Sequence, residues 1–156
     1  MSQVIAEPSV PVTETTIESV LLDADLFVKY SSPEKAFELL RSSLERSPRS
    51  LALREKMRDI CVRQKNLNEA ARQCLALVSL YIAREDFDVA YDRLQEAKLQ
   101  AEQIPTLEAE ILKLREAVTT AQLHRAQKEE YSRASHRANE AAKADRKSTR
   151  LNSSHG

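Results

Sequence analysis

Glycine is almost missing: Gly156 is the only one in a chain of 156 residues, where average usage would supply roughly ten. Motifs that require a left-handed or closely approached backbone are therefore not expected, among them the P-loop, the dinucleotide-binding turn, the nucleophile elbow and the EF-hand loop. The two cysteines, Cys61 and Cys74, form no CxxC pair and fall inside helical patterns. They read as small buried apolar residues of a reducing compartment, not as a disulfide or metal ligands. No stretch approaches roughly eighteen consecutive apolar residues, so no membrane span is expected. Residues 1–16 lack the basic region and apolar centre of a secretory signal, and a cytoplasmic location is the default.

What is present is helix-forming material with balanced charge, 24 Lys and Arg against 24 Asp and Glu, and 42% apolar residues. Met1 to about Thr13, with Pro8 and Pro11, reads as a mobile lead-in covering 1–14. Thr15 and Glu18 fit a capping box, and Ile17, Val20, Leu21, Ala24, Phe27 and Val28 recur at helical spacing up to Tyr30. Ser31-Ser32-Pro33 ends that helix, with Ser32 as cap and Pro33 at the first position of the next. The second helix, to about Arg46, offers Ala36, Phe37, Leu40 and Leu44 to a core. Ser47-Pro48-Arg49-Ser50 stops it. The third, Leu51 to Gln64, offers Leu53, Met57, Ile60 and Cys61. Asn66 and Glu69 make a further capping start for the fourth, Leu67 to Arg84, which is apolar from Cys74 to Ala83 except at Ser79. A helix without a polar stripe has to be covered on several sides, so this one is expected at the centre.

Asp86 caps a fifth helix that presents Phe87, Ala90, Tyr91, Leu94 and Ala97, fading near Gln103. Ile104-Pro105-Thr106 reads as a turn. From Leu107 the spacing of Ile111, Leu114, Val118 and Ala121 makes a short a/d seam. Beyond Gln122 only scattered residues such as Tyr131, Ala134, Ala138 and Ala141 are apolar. That stretch has good helix propensity and little to bury, which predicts a frayed helix or one that awaits a partner.

The stretch from Asp145 to His155 resembles the translation of a short-read sequencing adapter over eleven consecutive residues. The resemblance implies that 145–156 is a non-native tail, that the C-terminal helix of 106–144 is cut short, and that the natural chain continues past Ala144. Without Asp145, Arg146, Lys147 and Arg150 the net charge moves from zero to −2.

Repetition is the strongest pattern. Pro33-Glu34-Lys35-Ala36 and Leu67-Asn68-Glu69-Ala70 open two helices alike, with Ala36 and Ala70 34 residues apart. Together with Tyr81, Phe87, Ala90, Leu94 and Ala97, the stretch 17–97 resembles tetratricopeptide repeats, whose unit of about 34 residues is a helix-turn-helix with small residues at the helix crossing. Ala24, Ala36, Ala70, Ala90 and Pro48 stand at such places. Arg58, where the family prefers a small residue, Lys65 in the turn, and the spacing of 20 residues from Ala70 to Ala90 depart from it. The resemblance implies an all-α array of antiparallel helix-turn-helix repeats over 15–103, about six helices with the last one long, and a concave wall made by the first helix of each pair. It implies a non-catalytic scaffold that holds a peptide or helix of basic or apolar character. On that wall fall Glu18, Leu21, Asp25 and Val28, then Glu55, Asp59 and Val62.

Catalysis is not expected, because His124 and His136 lie on the polar terminal helix without a nearby cysteine, and no metal-ligand spacing or cofactor motif occurs. Nucleic acid is the runner-up partner. Arg41, Arg46, Arg49, Arg54, Lys56, Arg58, Arg63 and Lys65 exceed Glu45, Glu55 and Asp59 by five charges, enough to attract phosphate if gathered on one face. At 3.6 residues per turn they point in several directions, and no aromatic interleaves with them.

Overall fold

The structure is a computed structural model that describes residues 14–101 and 104–153. The described residues form six α-helices: α1 (Glu14–Lys29), α2 (Pro33–Arg46), α3 (Leu51–Arg63), α4 (Leu67–Ala83), α5 (Phe87–Gln100) and α6 (Pro105–Ser153). The fold is all-α, and the last helix, with 49 residues, is the longest. Two compact units divide the chain, Met1–Arg115 and Glu116–Gly156. The expected lead-in and the fading of α5 at Gln103 fall outside the described residues.

Helix boundaries follow local chemistry. Pro33 stands at the start of α2, where its missing N–H costs nothing. Ser50 caps α3 by accepting from the Leu53 N–H at 3.3 Å, and Asn66 caps α4 by accepting from the Glu69 N–H at 3.5 Å. Three expected caps differ. Ser32 and Asp86 occupy the cap positions of α2 and α5 but their side chains make no cap bond. Thr15 lies within α1, which already begins at Glu14, so a capping box starting at Thr15 has no place. Pro105 is the first residue of α6 instead of the middle of a turn, and the Ile104 carbonyl accepts from the N–H groups of Leu107 and Glu108 at 3.1 and 3.3 Å.

Three turns use left-handed backbone without glycine, which corrects the expectation drawn from its scarcity. Ser31, Lys65 and Glu85 have φ of 61°, 57° and 59°. Each follows a helix and belongs to the same two-bond closure. The Ser31 N–H donates to Val28 and that of Ser32 to Phe27; Lys65 and Asn66 donate to Val62 and Cys61; Glu85 and Asp86 donate to Ile82 and Tyr81. The first two turns are 34 residues apart, the repeat distance of Ala36 and Ala70. A side chain at such a position costs about 1 kcal/mol, which the two bonds and the flanking helix contacts offset.

In the first unit α1 packs on α2 and α3, α2 on α3, α3 on α4, and α4 on α5. Ala24, Ala36, Leu40, Leu53, Met57, Ile60 and Cys61 form a buried centre with Ala70, and Ile17, Leu21, Phe27, Val28, Phe37 and Leu39 close around it. As expected, α4 is buried along most of its length, from Ala70 to Val78. Ala36, Ala70 and Ala90 are fully buried, so neighbouring helices approach closely where a larger side chain would hold them apart. Tyr91 departs from the expected core face of α5: it is 48% exposed, while Phe87, Ala90, Leu94 and Ala97 are buried. It stands one position beyond Ala90, far enough round the helix to leave the centre.

The second unit is one helix. Every described side chain from Gln122 to Ser148 is exposed, and the helix continues through the adapter-like residues to Ser153. Arg125 donates to Glu129 at 3.0 Å and Arg137 to Glu130 at 3.0 Å. Arg133 stands 3.8 Å from Glu129 and 3.9 Å from Glu130.

Candidate functional site

The wall expected from α1 and α3 is present as a surface, but its charges are engaged within the chain. Lys56 Nζ donates to Asp25 Oδ1 and Oδ2 at 2.9 and 3.0 Å, joining α3 to α1. Glu55 Oε1 accepts from Arg93 Nε at 2.8 Å and from the Tyr81 hydroxyl at 2.9 Å, and its Oε2 accepts from Arg58 Nε at 3.0 Å. Arg58 also reaches Glu96 Oε1 at 2.9 Å and Asp59 Oδ1 at 2.8 Å. Glu55, Arg58, Arg93 and Glu96 are all about one-fifth exposed, so these pairs act in a partly dry environment where they count for more than surface pairs.

Burial alone would raise the Glu55 carboxyl pKa. The bonds from Arg93 and Tyr81, the charge of Arg93 and the bond from Arg58 outweigh it and hold the group below the usual range. Burial would lower Arg58, yet the bonds and charges of Glu96 and Glu55 raise it. Arg58 breaks the run of small residues, and the structure gives the reason. Helices α3 and α5 have no close backbone approach, and the guanidinium spans the gap.

Of the residues expected to meet a partner, Leu21 and Val28 pack against the core. Asp25, Glu55 and Asp59 are engaged by Lys56, Arg93 and Arg58. Glu18 is exposed, and Val62 is 39% exposed. The basic stretch of 41–65 is similarly divided. Arg54 donates to the Pro48 carbonyl and to Gln73, and Lys56 and Arg58 are paired, which removes three of its eight cations from a phosphate-facing surface.

A groove that sequence periodicity did not single out lies between α5 and the first turns of α6. It encloses about 510 Å3 and is lined by Tyr91, Leu94, Lys98, Glu108, Ile111, Leu112 and other residues of the two helices. Leu94 and Ile111 form its floor, and Leu112 stands 57% exposed at its edge. The one available signal was Leu112 itself, an apolar residue adjacent to Ile111 and out of register with the seam.

Cys61 and Cys74 are buried and unpaired. Burial, with Glu69 nearby, pushes the Cys61 thiol up to about 11. Burial and Glu96 push Cys74 up to about 12. His124 and His136 are exposed on α6. Among the described residues no group of three His, Cys, Asp or Glu side chains is placed to hold a metal, and no helix is long and apolar enough to cross a membrane. Compared with known proteins, the chain matches no protein family, no curated protein and no solved structure.

Proposed function

We propose that the chain is a non-catalytic protein-interaction scaffold of tetratricopeptide type, which docks an apolar peptide or helix in the groove between α5 and α6. The groove carries this reading. Its floor of Leu94 and Ile111 and its edge of Tyr91 and Leu112 offer shape and apolar contact, the ingredients of helix-in-groove recognition. The repeat character is supported by the same left-handed turn at Ser31 and Lys65, and by buried alanines at Ala36 and Ala70, all at the 34-residue offset. The α1–α3 wall is the weaker docking surface because its acids are spent on Lys56, Arg58 and Arg93.

Peptide selection from a displayed random library on the intact chain tests the reading. Apolar binders are expected, and Leu112→Asp, at an exposed position, is expected to weaken them at least tenfold, about 1.4 kcal/mol. Binders indifferent to Leu112→Asp and Tyr91→Asp would overturn the assignment of the groove.

A further inference from the structure

The second unit poses a physical problem that the docking reading leaves untouched. Most helical stability in proteins comes from packing an apolar face, and a helix without one persists in water only through its length and its local side-chain pairs. From Gln122 to Ser148 every described side chain is exposed, including Leu123 and Tyr131, which are 58% and 76% exposed.

A partner helix is not what the sequence provides for. The alternating register of Leu107, Ile111, Leu114, Val118 and Ala121 continues onto Arg125, Lys128, Ser132, Ser135 and Asn139, so the a/d seam turns polar where the exposed stretch begins. In place of a seam there is a chain of charges along the rod. Arg125 holds Glu129, Arg133 lies against both Glu129 and Glu130, and Arg137 holds Glu130. Lys143 stands 3.8 Å from Glu140 further along the helix. Most of these are the i,i+3 and i,i+4 spacings that support isolated helices. Ala126, Ala134, Ala138, Ala141, Ala142 and Ala144 add the residue with the highest helix propensity.

We propose that residues 122–144 form a free-standing, charge-held helix that works as a rigid spacer, fixing the separation of its own two ends without a partner. At 1.5 Å per residue the 122–148 helix spans about 40 Å. A flexible linker of the same length would sample a broad range of separations.

Spin labels at Gln122→Cys and Ala144→Cys in the full chain test this, because the native Cys61 and Cys74 are buried and resist labelling. The expected result is a single narrow distance distribution near about 33 Å, unchanged on dilution, in a species that sediments as a monomer. A broad distribution, or a narrow one that appears only in a dimer at high concentration, would overturn the proposal. Glu129→Gln with Glu130→Gln keeps helix propensity nearly constant and removes the central charges. It is expected to broaden the distribution, and an unchanged width would show that the ion pairs are not what holds the rod.

Discussion

Glu55 on α3 and Arg93 on α5 are 38 residues apart in sequence and 2.8 Å apart in space, and the same carboxylate oxygen accepts the Tyr81 hydroxyl of α4. One side chain thereby ties three helices together. Glu55→Gln should destabilise the first unit by about 1–3 kcal/mol, because two partly buried guanidinium groups lose their counter-charge. Asp25→Asn, at an exposed pair with Lys56, should cost less than about 1 kcal/mol. Urea unfolding of both variants measures the difference.

The same carboxylate sets an acid limit. Its folded-state pKa lies below the ordinary value, so its stabilisation is complete above the ordinary carboxylate range and disappears as pH falls through the lowered folded value. Between about pH 5 and pH 3 the wild-type chain should lose stability more steeply than Glu55→Gln. Equal slopes would mean that Glu55 titrates alike in both states.

Glycine belongs where this chain does not use it. Lys65→Gly and Glu85→Gly should each raise stability by roughly 0.5–1 kcal/mol by relieving a left-handed side chain, whereas Arg72→Gly inside α4 should lower it by about 1 kcal/mol. Thermal melts of the three variants check the opposite signs.

Ala36 and Ala70 are fully buried at equivalent places. Ala36→Leu or Ala70→Leu should cost about 1–3 kcal/mol by forcing helices apart. Ala83→Leu, on an exposed position of α4, should remain within about 0.5 kcal/mol of wild type. Denaturant midpoints distinguish the two classes.

With thiols pushed up to about 11 and about 12 and buried, Cys61 and Cys74 should resist alkylation at neutral pH. Only the thiolate reacts. Full labelling is expected in urea, and rapid labelling of the native chain would contradict the burial.

Helix bounds were readable from Pro33, Ser50 and Asn66, because punctuation by proline and capping groups is local chemistry. The core faces of α2, α3 and α4 followed from apolar spacing for the same reason. Tyr91 was not readable, since periodicity cannot distinguish a residue under a neighbouring helix from one beside a groove. Arg58 looked like an irregularity in a pattern of small residues. Its role depends on Glu96, which is 38 residues away, and on how far α3 stands from α5. Lys65 escapes the rule that left-handed turns take glycine, because that rule is a preference in energy, which a strong helix end can override.

The packing of α1 through α5 pairs each helix only with neighbours one or two places along the chain. Low sequence separation between touching segments favours rapid folding. Such a chain can take shape while it leaves the ribosome, each hairpin settling on the one before it, since no early helix has to wait for a late one.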